Sequence, residues 1–294
     1  MSESIGNNTA FGDYISSSTF TFEVSDGRAF TVHSEPFARL SLPMQALVNG
    51  SMIEANLGRA KLDEVDPDTF IRLSEYAYYR DYTPPNHAKR SKKTSESVES
   101  NEEVPLRPII EVSPERPIED NRNRRGFRRP VTQLQTSLKT ALANHLRESF
   151  RNLPIEQISQ TWRERFIPEG NHSAIEDFTP IFMDHIRLWV LADQYQITSL
   201  CSLVIEKLHH TLREFVLYQT NVGTVIEFIR YTYSSTRPLE DGTNSLRDLV
   251  VQYAASIVSE IGDMKEFKEL LAEGGDFVTD FWDTIWANMY RVVV

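Results

Sequence analysis

Apolar and polar residues alternate on both sides of Asp26-Gly27 in the stretch TFTFEVSDGRAFTVH. The apolar positions of this alternation are Phe20, Phe22, Val24, Phe30 and Val32. A period of two is typical of strands that bury one face, and Asp-Gly is a favoured hairpin turn. The pattern therefore predicts a β-hairpin.

After Ser34 the spacing of the apolar residues changes to three and four. The residues at this spacing are Phe37, Leu40, Met44, Leu47 and Val48. This spacing predicts helix, and Pro36 suits a first helical turn. A helical hairpin is thus expected after the strands, with a break near Pro43.

The stretch AKLDEVDP predicts a short strand with Leu62 and Val65, after which Asp66-Pro67 opens a helix. The apolar stripe of that helix consists of Phe70, Leu73, Tyr76 and Ala77. Strands and helices are mixed here without a repeated βαβ unit, so the fold class predicted for this region is α+β.

Residues 84–130 are dense in charge, serine and proline, and such a segment buries too little apolar surface to offset its ordering entropy. We expect a disordered insert there. Residues 131–177 are expected to hold the helices of the insert. The apolar face of the first one consists of Val131, Leu134, Leu138, Leu142, Leu146 and Phe150. An amphipathic helix of this kind is expected to dock on a neighbour.

From Phe178 onward the apolar spacing is helical almost throughout, which predicts helices in residues 178–210 and an all-helical extension over residues 211–294. We expect five residues in the core because each falls on the apolar stripe predicted for its helix. These residues are Leu40, Phe70, Tyr76, Trp189 and Leu191.

Composition favours an intracellular protein with protein partners. The chain has 294 residues, 40% of them hydrophobic, and a formal net charge of −11, which disfavours non-specific attachment to nucleic acid or anionic membrane. The single cysteine, Cys201, excludes an intramolecular disulfide framework and points to a reducing compartment, the nucleus or the cytoplasm. We expect no signal peptide and no membrane anchor.

Catalytic motifs are absent from the sequence: it has no phosphate-binding glycine loop, no HExxH and no G-x-S-x-G. Cys201 and His209 are eight residues apart and could share a helical face as nucleophile and base, but the apolar neighbours of Cys201 favour a buried structural thiol. The adjacent His209 and His210 point in different directions on a helix, which is poor metal geometry. No catalytic residue, metal or cofactor is therefore predicted.

Two basic clusters lie in the insert, KRSKK at Lys89–Lys93 and RNRRGFRR at Arg122–Arg129. Such clusters can direct nuclear import or attract nucleic acid, and they can equally be a solvated linker. Aromatic residues do not interleave with basic ones, so nucleic-acid binding by the folded part is not expected.

Three stretches together resemble the BTB/POZ domain in its fungal form. They are FTVHSEPFARLS at residues 30–41, the stretch LVNGSMIEANLGRAKLDEVDPDTFIRLSEYAYYRDY at residues 47–82, and LWVLADQYQITSLCSLVIEKL at residues 188–208. The resemblance implies one BTB domain made of residues 18–83 and 178–210, after a flexible N-terminus at residues 1–17. The helices after residue 211 are similar to the C-terminal extensions of fungal members.

The resemblance also assigns roles to individual residues. His33 taken alone could be a catalytic base, a metal ligand or a turn residue. In the family a histidine caps the passage from hairpin to helix, so we expect it to serve structure through a local hydrogen bond. Asp193 and Tyr195 match the Ala-Asp-x-Tyr signature and are expected to be structural.

Met52-Ile53-Glu54 matches an element that lies near the partner helix in BTB proteins that recruit a cullin. Met52 and Glu54 are therefore the predicted protein-interaction residues. The alternative is that Met52 packs in the core while Glu54 satisfies the turn.

Three functions follow as hypotheses. The first is a protein-interaction module, in particular a substrate adaptor for a cullin-type ubiquitin ligase. The second is a nuclear scaffold or transcription-associated regulator acting through the basic insert. The third is an enzyme activity in the C-terminal helices. The expected partners are other proteins, and homo-oligomerisation is left open.

Overall fold

The computed structural model of the chain describes residues 11–86, 88–89, 104–106, 131–157, 166–238 and 244–293. It confirms the broad α+β class, since helices predominate beside a small three-stranded sheet. The basic cluster at Arg122–Arg129 and all of the cluster at Lys89–Lys93 except Lys89 lie outside the described residues. So does most of the segment 84–130 that we predicted to be disordered.

The described residues form two compact units, and both are discontinuous in sequence. The first unit takes its residues from Met1–Asn86, Ile155–Glu169 and Pro180–His210. The second unit takes its residues from His87–Pro154, Gly170–Thr179 and Thr211–Val294.

Seven helices, within the described residues, supply the first unit: α1 (Phe11–Ile15), α2 (Ser34–Ala38), α3 (Leu42–Asn49), α4 (Ile53–Leu57), α5 (Pro67–Tyr79), and most of α7 (Thr179–Gln194) and α8 (Thr198–Glu214). A further helix, α6 (Val131–Arg151), precedes α7 in the chain and belongs to the second unit. The later helices are α9 (Val222–Ser235), α10 (Ser245–Ser256), α11 (Val258–Ile261), α12 (Lys265–Glu273) and α13 (Asp276–Val293).

The sheet of the first unit contains the predicted hairpin. Strands β1 (Thr19–Val24) and β2 (Ala29–His33) pair antiparallel, and β3 (Arg59–Leu62) pairs parallel to the other edge of β1. A parallel pair needs a crossover, and α2, α3 and α4 provide it. Two further short strands, β4 (Ala88–Lys89) and β5 (Glu176–Asp177), pair antiparallel in the second unit.

The core of the first unit forms around the inward face of β1. The ring of Phe22 lies 5.2 Å from that of Phe37 in α2 and 5.1 Å from that of Phe70 in α5. All five predicted core residues are buried. Leu40, however, lies in the turn after α2 rather than on a helical stripe.

Helix α5 begins at the predicted residues, Asp66 and Pro67. The Asp66 side chain accepts a hydrogen bond from the Thr69 amide at 3.0 Å, and Pro67 occupies the first turn. Burial raises the pKa of Asp66, but the hydrogen bonds from Thr69 outweigh burial, so the pKa is lowered overall. The helix stops at Arg80, which takes a left-handed conformation with φ 57°.

The second unit is helical, and α6 packs in it against α10 and α13, as its amphipathic pattern predicted. The Phe150 ring lies 5.4 Å from the ring of Tyr253 in α10, and Arg147 pairs with Glu260. The aromatic end of α6 thus contributes to the core of this unit.

Several boundaries differ from the sequence predictions. Residues 11–15, which we placed in a flexible N-terminus, form α1 with Tyr14 buried. The strand predicted to include Val65 ends at Leu62, where the chain turns, although the Val65 carbonyl still accepts from the Ser25 amide at 3.0 Å. Among the described residues of 131–177, the chain after α6 forms turns and β5 rather than a further helix.

Each helix in the described part of the chain is too short or too polar to cross a bilayer.

Candidate protein interaction surface

Helix α4 and its N-cap residue present three large apolar side chains to solvent. Met52, Ile53 and Leu57 expose 59%, 68% and 64% of their surface, and we call these three residues the α4 surface. Ile53 and Leu57 are four residues apart and lie on the same face of the helix. Met52 immediately precedes the helix as its N-cap residue. Helix α4 has no buried residue, so its apolar side chains do not contribute to the core.

Two glycines set the position of α4. The Gly50 amide bonds to the Ala46 carbonyl at the end of α3, and a Cβ at Gly50 would lie 2.1 Å from that oxygen. Gly58 ends α4 in a left-handed conformation with φ 64°. Its carbonyl accepts from the Thr21 amide of β1 at 2.9 Å, which ties the end of α4 to the sheet.

The strand after α4 is held by ion pairs on the open side of the sheet. Glu23 of β1 pairs with Arg59 at 3.1 Å and with Lys61 at 2.9 Å. The hydrogen bond from Lys61 is the main cause that lowers the pKa of Glu23. Because Arg59 and Lys61 are exposed and Glu23 is only half-buried, the pairs align β3 on β1 and add little to stability.

Met52 and Glu54 occupy different environments. The alternative in which Met52 packs in the core is wrong, because Met52 is exposed. Glu54 is half-buried, and its Oε2 atom is buried without a hydrogen-bond partner among the described residues. The carboxylate therefore lies at the edge of the α4 surface, with one oxygen directed into the protein.

His33 forms its hydrogen bonds with a residue that is distant in sequence. It is the N-cap residue of α2, but its side chain makes no capping hydrogen bond. Instead its Nδ1 atom lies 2.9 Å from the Tyr78 hydroxyl, and that hydroxyl also accepts from the His33 amide at 3.0 Å. The expectation of a local hydrogen bond is wrong, since Tyr78 lies 45 residues away in α5.

Asp193 and Tyr195 lie at the end of α7. The Asp193 side chain is exposed. The backbone carbonyl oxygen of Asp193 accepts a hydrogen bond from the Gln196 amide at 2.9 Å. Tyr195 is half-buried, and burial raises the pKa of its hydroxyl. Gln196, with φ 53°, then turns the chain towards α8. The structure places both signature residues at this turn.

Cys201 lies in α8 with a half-buried side chain, and its Sγ atom is 3.9 Å from the Trp189 carbonyl oxygen. Burial raises the pKa of the thiol to about 12. A nucleophilic cysteine needs a lowered pKa, so this environment suits the structural role that we favoured over a pair with His209.

A buried lysine in α8 holds three parts of the first unit together, and sequence reasoning missed it. Lys207 is fully buried and pairs with Asp81 at 2.5 Å. Its ammonium donates to the carbonyl oxygens of Tyr82 at 2.7 Å and Phe166 at 3.0 Å. Burial lowers the pKa of Lys207, and Asp81 opposes that effect. The charge is fully compensated, which is the usual condition for burying it.

A buried histidine lies beside this lysine cluster. The Nδ1 atom of His185 in α7 is 2.9 Å from the Tyr82 hydroxyl. Its Nε2 atom is buried, and no residue in the described part of the chain forms a hydrogen bond with it. Burial lowers the pKa of His185 to about 3, and the charges of Arg72 and Lys207 act in the same direction. The imidazole is therefore neutral at physiological pH.

The second unit has its own buried cation, Arg247 of α10. It pairs with Asp276 at 2.8 Å and donates to the Thr236 carbonyl oxygen and, at 3.2 Å, to the Tyr233 carbonyl oxygen. These acceptors close the end of α9. The site is saturated by the protein's own groups, so it serves packing.

Among the described residues, no group of three or more histidine, cysteine, aspartate or glutamate side chains is arranged to hold a metal ion. No family model matches the chain, and no significant match is found among curated proteins or solved structures. The likeness to the BTB domain therefore depends on the residue pattern alone.

Proposed function

We propose that this protein is a protein-interaction module whose first unit is a BTB/POZ domain, and that the α4 surface is its contact site. The observation that carries the proposal is the exposure of Met52, Ile53 and Leu57, which lie on one short helix and its N-cap. Fully burying an apolar side chain of this size yields roughly 1.5 to 3 kcal/mol. A partner that covers all three therefore gains substantial binding free energy.

The order of elements supports the BTB part of the proposal. The hairpin that ends in Phe-x-Val-His leads directly into α2, and β3 follows α4 as the resemblance implies. Residues from both predicted parts, 18–83 and 178–210, occur together in the first unit apart from the two residues before Pro180.

We further propose that the partner is a cullin, which would make the protein a substrate adaptor of a ubiquitin ligase inside the cell, in the nucleus or the cytoplasm. Met52 supplies an apolar anchor, and Glu54 beside it supplies a carboxylate. An exposed apolar anchor that becomes fully desolvated is the usual form of an interface hot spot.

The test is calorimetric titration of the purified chain with a panel of purified cullins. Truncating a hot-spot anchor typically costs at least about 2 kcal/mol, so Met52→Ala should weaken binding by roughly 30-fold or more. Glu54→Arg should also weaken binding, because it replaces the carboxylate with a cation.

Ile175→Ala is the matched control, since Ile175 is 72% exposed and lies in the second unit. It should bind like the wild type, and circular dichroism should show that all three variants are folded. If no cullin binds the wild type, the adaptor proposal fails. If a cullin binds wild type, Met52→Ala and Glu54→Arg equally, the α4 surface is not the contact site.

A further inference from the structure

Helix α13 carries an exposed row of three aromatic residues. Trp282, Trp286 and Tyr290 are spaced by four and expose 59%, 43% and 57% of their surface; we call them the aromatic row. The two tryptophan rings stack with centroids 5.9 Å apart, and the Tyr290 ring lies edge-on to Trp286 at 5.2 Å. These contacts limit the motion of the rings, so little side-chain entropy is left to lose on binding.

The opposite face of α13 already anchors the helix in the second unit. Phe277 and Phe281 are buried, and the Phe281 ring lies 5.4 Å from the ring of Phe267 in α12. The Tyr233 hydroxyl of α9 donates to Asp280 at 2.8 Å. The aromatic row is therefore not needed to hold α13 in place.

A second exposed row runs beside the aromatic one. It consists of Asp283, Ala287 and Arg291, each one position after a member of the aromatic row. Its members differ in charge and size: the row begins with an anion, continues with a small side chain and ends with a cation. The order of these three residues makes the two rows complementary when the helix direction is reversed.

We propose that α13 pairs antiparallel with α13 of a second copy of this chain, each aromatic row packing against the Asp283–Ala287–Arg291 row of the other copy. In this register Trp286 packs on Ala287, whose small side chain lets the helices approach. Trp282 faces Arg291, which suits a cation–π contact. Tyr290 faces Asp283, and the Tyr290 hydroxyl can donate a hydrogen bond to the Asp283 carboxylate.

The complementarity favours a second copy over an unrelated partner. A two-fold interface uses the same patch on both subunits, so a contact from residue i to residue j of the partner is accompanied by the contact from residue j to residue i. All three contacts of the register meet that condition, and each therefore occurs twice. A large aromatic side chain buries about 150 to 250 Å² when it is fully covered. The members of the aromatic row expose between 43% and 59% of their surface. The dimer therefore covers roughly half of that area for each of the six side chains.

The test is sedimentation equilibrium of the full chain, for which we expect a mass of twice 33.9 kDa. Trp286→Ser should raise the dissociation constant by about 30-fold or more, as loss of a central aromatic anchor does. Ala287→Glu should also weaken the dimer, since it places a bulky anion against Trp286. Both substitutions are at exposed positions, and circular dichroism should show unchanged helix content.

Arg291 provides the more specific readout. Arg291→Glu should weaken the dimer because a carboxylate is repelled by the face of Trp282, whereas Arg291→Lys should retain it because a cation remains. Phe11→Ser is the control, since Phe11 is 62% exposed in the first unit and should not affect association. A monomeric wild type would overturn the proposal. So would a dimer that survives Trp286→Ser or is lost with Phe11→Ser.

Discussion

Lys207 and His185 show how much of the first unit depends on single buried polar groups. The Lys207 ammonium is compensated by one carboxylate and two carbonyl oxygens. The His185 ring forms a hydrogen bond with the Tyr82 hydroxyl, and it remains neutral because burial disfavours its charged form. Neither role follows from the local sequence, since both residues lie among apolar neighbours in ordinary helical patterns.

At this scale we predict a pH-dependent loss of stability that depends on His185. Its pKa is about 3 in the folded chain and near 6.5 when unfolded, so the unfolded state binds the extra proton between these values. The free energy of unfolding should therefore fall as the pH drops below about 6.5, by at most about 1.4 kcal/mol per pH unit for this one group.

His185→Asn should make that dependence shallower, because asparagine does not titrate. Urea unfolding at several pH values between about 4 and 7 measures the slope. Tyr82→Phe is the control, since it removes the hydroxyl partner and keeps the histidine; the slope should remain. Carboxylates contribute equally to both curves, so the difference between variant and wild type isolates His185. An equal slope in His185→Asn and wild type would contradict the prediction.

Among the elements, α5 illustrates how a local signal produces a helix that the core then uses. Asp66 and Pro67 define its start, and Phe70 on its buried face contacts rings of both β1 and α2. Near the other end of the helix, the Tyr78 hydroxyl accepts a hydrogen bond from the His33 amide and lies 2.9 Å from the His33 Nδ1 atom. The helix thus connects the hairpin to the rest of the first unit.

We predict that Asp66→Ala lowers the free energy of unfolding by about 1 kcal/mol, with a range of roughly 0.5 to 2, because the Thr69 amide loses its capping acceptor. Denaturant unfolding at neutral pH measures the change. Asp68→Ala is the matched control, since Asp68 lies in the same first turn and is exposed. Equal effects of the two substitutions would show that charge near the helix start, rather than the cap, matters.

At the scale of the whole molecule, the first unit is assembled from three separate stretches of chain, and Lys207 contacts all of them. It lies in α8, and its partners come from Asp81 and Tyr82 in one stretch and Phe166 in another. Because Lys207 contacts all three stretches, the stability of each stretch depends on the other two.

We predict that Lys207→Met lowers hydrogen-exchange protection in α5 and α7 as well as in α8. Removing one partner of a buried ion pair typically costs about 3 to 5 kcal/mol, because the remaining charge is uncompensated. Amides that exchange through opening of the whole unit should lose protection together. Lys61→Met is the control, since the Lys61 pair with Glu23 is exposed. A loss of protection confined to α8 would refute cooperative assembly of the three stretches.

The sequence by itself determined the hairpin, the breaks between the early helices, the start of α5 and the amphipathic face of α6. These features depend on spacing, turn residues and caps, which act over a few positions along the chain. The five predicted core residues were found in the same way, although Leu40 reached the core from a turn.

Only the tertiary structure decided which side chains meet and which face of a helix stays exposed. His33 forms a hydrogen bond with Tyr78, and Lys207 forms one with Phe166, although the members of each pair are far apart in sequence. The spacing of apolar residues along the chain does not predict such pairs. Helix α13 carries aromatic residues on two faces, and the packing of α12 and α9 against one of them leaves Trp282 and Trp286 in solvent. Burial depends on what packs against an element, and that is a property of the whole fold.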